Sequence, residues 1–274
     1  MALFVAEYGP YDAETIVFLH GGGGAGWMWR PQIDSLSADY HLLVPDLPEQ
    51  GRSTDAGPFS MITAAEQIAQ LVAERASGAP VHLVGLSEGA QVVVQLLASH
   101  PDLAATAIAS SALVRPLPGA GAMSSAAMLR WSYRLSIAPL RNADWWIRLN
   151  MRSAVGVPDE YFPQFRESFR TLSEDGWVDL MTANQKFRLP VGLDRVSARV
   201  LTVCGAREYS AMKLSASDIA SAIPGAQARE VRHAEKLSLA QQHNWNMTAP
   251  ALFTRMVRAW VSGGELPSEL AEIG

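Results

Sequence analysis

The chain has 274 residues, 49% of them hydrophobic and 18% charged, with a formal net charge of −5. This is ordinary globular composition, long enough to bury a sizeable core, and it excludes overall disorder. Lys and Arg are scattered and outnumbered by Asp and Glu, 22 to 27, which argues against a nucleic-acid partner.

No apolar run reaches the roughly 18 residues that span a bilayer. The N-terminal stretch has neither the basic start nor the small-residue cleavage site of a signal peptide. The expectation is a cytoplasmic protein that acts on a small molecule, with no membrane or nucleic acid as partner and with monomer or homodimer left open. A single cysteine, Cys204, lies in the apolar run "RVLTVCGA" and reads as a buried core residue.

In chain order, "TIVFLH" (15–20), "HLLVPDL" (41–47), "VHLVGL" (81–86) and "AATAIASSAL" (104–113) are short apolar runs bounded by Gly, Pro or Asp. Between them, "SMITAAEQIAQLVAERASG" has apolar residues at three- and four-residue spacing, and "EGAQVVVQLLASH" reads as a helix buried on most sides. Continuous apolar strands alternating with helices predict an α/β, doubly wound, mostly parallel sheet. The rhythm breaks at a Pro/Gly/Ser-rich exit near 113, and four helical stretches follow at 123–137, 142–154, 158–173 and 175–187. It resumes with a strand at 199–206, a helix at 212–223, a short strand at 227–232 and a final helix at 248–262. Residues 1–112 and 198–274 are thus expected to form one core, with 113–197 as a helical insertion. The tail "GGELPSELAEIG" reads as a loosely held terminus.

The stretch "GLSEGA" (85–90) carries the first chemical signal. A serine between two glycines at a strand-to-helix turn suits a nucleophile elbow, where strand and helix backbones pass so closely that only small residues fit two positions either side. "FLHGGGGAGWMW" follows another strand, and its glycines let backbone N–H groups face a cavity as oxyanion donors. A phosphate-cradling loop is the rival, but no Lys-Ser/Thr follows. Gly22 is the expected donor from this loop, with the N–H of Glu88 as the second.

A general base must be one of six histidines. His41, His82 and His100 suit core or capping roles, and His20 suits ordering the glycine loop. His243, before the final helix, is the expected base, with His233 at a strand end as the weaker alternative. The acid should lie between serine and histidine along the chain, and Glu208, four residues past a strand's apolar core, fits. Its rival reading is a surface glutamate paired with Arg207. Asp218 falls inside the following helix.

"HGGGGAGWMW", "VPDLPEQGRS", "LVGLSEGAQ", "CGAREYS" and "HNWN…PALF…VRAW" resemble successive signatures of the α/β-hydrolase superfamily, over roughly 15–112 and 198–262. The resemblance implies an α/β-hydrolase sheet with a helical cap inserted after the sixth core strand. It also implies a Ser87–His243–Glu208 triad with Gly22 and Glu88 as oxyanion donors, and no cofactor or metal. Three positions depart from the family pattern. Glu208 stands where Asp is commoner, Glu49 and Gln50 where Gly and His usually follow "PDLP", and Glu88 where Leu, Met or Gln is frequent. The implied activity is a serine hydrolase cleaving an ester or related acyl bond. The same fold also serves lyases, carbon–carbon bond hydrolases, cofactor-free peroxidases and low-turnover binding proteins.

The apolar inventory of the insertion suggests a hydrophobic pocket built from Met123, Met128, Trp131, Trp145 and Trp146, together with Trp245 of the core. For the Glu88 side chain, the expectation is a carboxylate at a helix N-terminus favoured by the macrodipole by about 0.3–1 kcal/mol. The alternative is a side chain that reaches toward the pocket and tunes it.

Overall fold

The computed structural model describes residues 2–78, 80–116, 125–233 and 235–273. Strands β1 (Val5–Tyr8), β2 (Thr15–Leu19) and β3 (His41–Pro45) come first, with helix α1 (Arg30–Leu36) between β2 and β3. Helix α2 (Met61–Arg75), β4 (Val81–Leu86), α3 (Glu88–Ser99) and β5 (Ala104–Ser110) follow. After the helical insertion come β6 (Arg199–Gly205) and β7 (Gln227–Val231), and the chain ends with β8 (Leu270–Glu272). The strands form one sheet in the order β1-β3-β2-β4-β5-β6-β7-β8. The six central strands are parallel, and the two edge strands run antiparallel to their neighbours.

Alternation along each strand builds two cores. Val17 and Leu19 of β2, Leu43 of β3 and Leu83 of β4 pack with α2 and α3. Ile16, Phe18, Leu42, Val44 and Val84 face the other way, against α1 and the C-terminal helices. Burial on both faces is why the strands read as unbroken apolar runs. Helix α2 is amphipathic, burying Met61, Ala64, Ala65, Ile68, Leu71 and Val72, and Ser60 caps it by accepting from the Thr63 N–H.

The insertion follows β5, the fifth strand in chain order and not the sixth that the resemblance implies, because a single antiparallel edge strand precedes β2. It contains α4 (Ala126–Ser132), α5 (Asp144–Asn150), α6 (Phe162–Thr171) and α7 (Glu174–Lys186). Helices α4 and α5 each run on into a π-helical turn, Tyr133–Ile137 and Met151–Val155. The core then closes with α8 (Ser210–Ala222), α9 (Leu239–His243), α10 (Trp245–Thr248) and α11 (Pro250–Ser262).

The C-terminal tail is not loose. Residues 270–272 pair with β7, Leu270 is buried, and the Arg232 N–H donates to the Glu269 carbonyl at 2.9 Å. A three-residue strand at a sheet edge carries no sequence periodicity, and β1 at the opposite edge escapes detection for the same reason. No helix among the described residues is long and apolar enough to cross a membrane.

Candidate active site

Ser87 joins β4 to α3 at φ 54° and ψ −114°, a region that non-glycine residues rarely adopt. The strain is held by packing on both sides. A Cβ at Gly85 would lie 2.4 Å from the Gly89 carbonyl oxygen, and one at Gly89 would lie 2.2 Å from the Leu19 carbonyl oxygen. Only glycine fits either position. The Ser87 N–H donates to the Ser110 carbonyl at 2.7 Å, tying the turn to the adjacent strand end.

Glu208 follows β6 and is 8% exposed, so it is not a surface partner of Arg207. Its Oε2 accepts from the Gly205 N–H at 2.6 Å and from the Ser111 hydroxyl at 2.9 Å. Its Oε1 lies 2.6 Å from Nδ1 of His243. With Nδ1–H donating to this carboxylate, Nε2 of His243 is the nitrogen free to accept a proton. His243 closes the short helix α9, whose Ser238–Gln241 capping box fixes its start.

The other histidines are placed elsewhere. His20 is fully buried; its Nδ1 donates to the Gly21 carbonyl at 2.8 Å and its Nε2 accepts from the Leu47 N–H at 2.9 Å. His41 bonds Thr15 and Glu7, His82 bonds Thr106, and His100 bonds Glu66. His233 packs edge-on against Trp245 with ring centroids 6.0 Å apart. Burial lowers its pKa. Asp218 forms an ion pair with Arg115. Cys204 is buried, its thiol pushed up to about 12 by desolvation and the nearby Glu208 charge.

Ser87 and His243 line one cavity of about 410 Å³, together with Gly21 to Gly24, Trp27 and Met28. In the glycine loop the Gly23 N–H donates to Gln50 Oε1 at 2.7 Å and the Gly24 N–H to the Gly21 carbonyl at 3.1 Å. The Gly22 N–H has no partner among the described residues. Glu88 is the first residue of α3, so its N–H has no carbonyl within the helix.

The insertion supplies the opposite wall with Ile137, Val155, Phe165, Phe169, Leu172 and Trp177. Of these, Ile137 and Val155 sit in the two π-helical turns, a feature often found at functional sites. Hydrogen bonds join the insertion to the core beside the cavity: Trp27 Nε1 donates to the Ser168 hydroxyl at 2.9 Å and Asn244 Nδ2 to the Val155 carbonyl at 2.7 Å.

Of the pocket residues expected from the sequence, those that the structure describes lie elsewhere. Trp131 and Trp145 are 60% and 64% exposed, Met128 is exposed, and Trp146 bonds the Ser136 carbonyl within the insertion. Trp245 is fully buried under the site, donating to the Ser110 hydroxyl and packing on Phe253. Met123 lies outside the described residues. The apolar content of the insertion was the right signal, but helical phase decides which side chains turn inward. Phe165 and Phe169, four apart on α6, share one face and carried that signal.

Glu88 also departs from expectation. Its side chain is fully buried, and desolvation raises its pKa to about 8 against a smaller lowering by Gln50. The carboxyl is therefore mainly neutral near pH 7, and a macrodipole acting on a carboxylate does not explain it. Because the folded state holds this proton and the unfolded chain does not, Glu88 costs stability increasingly from about pH 4.5 up to about 8.

The sequence model of the alpha/beta hydrolase family matches residues 16–261. The chain belongs to the alpha/beta hydrolase family. It is an enzyme of the hydrolase kind. An AB hydrolase superfamily protein of Gibberella zeae is 25% identical over 97% of this chain and 86% of its own length. A pimeloyl-[acyl-carrier protein] methyl ester esterase of Yersinia enterocolitica is 36% identical, over 32% of each chain. The solved enol-lactonase from Burkholderia xenovorans superposes with a TM-score of 0.73 at 21% identity, covering 95% of this hydrolase and 96% of the other chain.

Proposed function

We propose that this hydrolase cleaves an ester or related acyl bond of a small, hydrophobic substrate through a Ser87–His243–Glu208 triad. The observation that carries the reading is the buried, three-bonded Glu208 held 2.6 Å from His243, whose ring shares a cavity with the strained Ser87. His243 Nε2 takes the Ser87 hydroxyl proton as Oγ attacks the substrate carbonyl, and Glu208 stabilises the imidazolium that forms. The N–H groups of Gly22 and Glu88 receive the oxyanion's charge. The imidazolium then protonates the leaving alcohol. A water activated by the same histidine releases the acid and restores Ser87.

The insertion, 113–197, acts as a cap on the core formed by 1–112 and 198–274. Its Phe165, Phe169, Leu172, Ile137 and Val155 favour an apolar acyl or alcohol group, and the cavity volume limits its size.

The test is covalent labelling of the purified protein with a fluorophosphonate, followed by mass spectrometry, beside turnover of p-nitrophenyl esters of increasing chain length and of a simple lactone. Labelling at Ser87, lost in Ser87→Ala, together with a preference for short or aromatic acyl groups, is expected. A folded protein that takes no label at Ser87 refutes the reading.

A further inference from the structure

Behind the glycine loop lies a buried polar chain that the triad does not use. Oε2 of Glu88 accepts from Gln50 Nε2 at 2.9 Å, and Gln50 Oε1 accepts from the Gly23 N–H at 2.7 Å. Glu88 is 0% and Gln50 3% exposed. The loop backbone rests directly on the carboxyl: a Cβ placed on Gly22 would lie 3.2 Å from Glu88 Oε2. Glu88 Oε1 has no partner among the described residues.

These are the same positions that depart from the family pattern. Glu49 at φ 63° turns the loop that delivers Gln50, its Oε2 accepting from the Phe59 N–H at 2.8 Å. Asp46 braces the other end by accepting from the N–H groups of Gly26 and Arg52 at 2.7 and 2.8 Å.

We propose that Glu88 and Gln50 are a positioning pair for the oxyanion loop. The proposal rests on the acyl-transfer reading above and deepens it. Gln50 holds Gly23 at one end of its amide and Glu88 at the other, so the loop's N–H groups are fixed relative to the Ser87 turn. An ionised Glu88 would stand directly behind the amides that must receive the oxyanion's charge and oppose it across a dry, low-dielectric gap.

Among the described residues, no cation is placed to neutralise such a charge. His20 at the end of β2 is buried and already hydrogen-bonded at both ring nitrogens. The loop after β3 contributes Asp46 and Glu49, and α7 adds Asp175 and Asp179, whose charges bear on Glu49. Arg52 lays its guanidinium over the Phe4 ring, 4.3 Å from the centroid. His243 is engaged by Glu208 across the cavity.

The experiment measures kcat and KM of a p-nitrophenyl ester from pH 6 to 9.5 for wild type, E88Q and Q50A. In parallel, the Gly22 and Gly23 amide resonances are followed over the same range. In the wild type, kcat is expected to fall about tenfold above pH 8 with little change in KM. Both amides shift along the same curve. E88Q has no carboxyl proton to lose, so its kcat is expected to show no alkaline fall. Q50A lowers kcat about tenfold at every pH and speeds hydrogen exchange at Gly23.

An alkaline fall that persists in E88Q, or glycine amides that ignore pH in the wild type, overturns the pair while leaving the triad standing. A wild type inert to both fluorophosphonate and esters overturns the acyl-transfer reading and the pair together. If E88Q fails to fold, the wild-type amide titration decides.

Discussion

Around Ser87 the ionisable side chains Glu88 and Glu208 are held inside the protein, whereas the ion pairs of the helices between β5 and β6 lie at partly exposed positions. Glu208, Gln50 and Glu88 are all buried and joined to backbone or side-chain partners across three loops. In the insertion, Arg130 of α4 and Arg134 of the turn after it reach Glu174 and Asp175 of α7, and Arg166 of α6 reaches Asp144 of α5, with side chains partly exposed. Such exposed pairs are worth roughly 0–1 kcal/mol each, while an orphaned buried partner costs about 1–3 kcal/mol or more. The core site is therefore intolerant of change at the level of single atoms. The insertion sets a shape and tolerates substitution outside the face it turns to the cavity.

This contrast can be broken or sharpened in order of expected effect. Glu208→Gln removes the charge that stabilises the imidazolium and alters what His243 Nδ1 can donate to, so kcat should drop about 10³–10⁴-fold with the fold retained. Steady-state kinetics with circular dichroism checks this, and near-normal turnover would move the acid role to another residue. Gly89→Ala drives a Cβ into the Leu19 carbonyl oxygen, and a loss of about 3 kcal/mol in denaturant unfolding is expected. Wild-type stability there would mean that β4 and α3 can separate at the elbow.

Phe169→Ala opens the cavity wall on the insertion side. KM for the preferred apolar ester should rise about tenfold, with a smaller change in kcat. A change confined to kcat would place Phe169 nearer the chemistry than to substrate binding. Trp145→Ala, on the exposed side of α5, should leave kcat/KM within about twofold and stability within about 0.5 kcal/mol. A large effect there would show that this outer face is functional, and the contrast between the two regions would fail.

The strands β2 to β6 were legible as short unbroken apolar runs and most of the helices by apolar residues at three- and four-residue spacing, punctuated by Gly, Pro or Asp; β7 was legible by its place in the strand–helix alternation. The candidate triad was legible because its members stand at turns that end core strands or open helices. The edge strands β1 and β8, the helices α1, α9 and α10, and both π-helical turns were not. Each is too short, or too dependent on its neighbours, to leave a periodic mark.

The sequence by itself determined the parallel α/β core, the insertion and the order Ser87, Glu208, His243, since local pattern and turn chemistry specify them. Tertiary structure alone decided which side chains face the cavity, turning Phe165 and Phe169 inward and Trp131 and Trp145 outward through the phase of packed helices. It also decided the state of Glu88. A glutamate at the start of a helix reads as a favourable charge, but the glycine loop and Gln50 close over it and remove the water that a carboxylate needs.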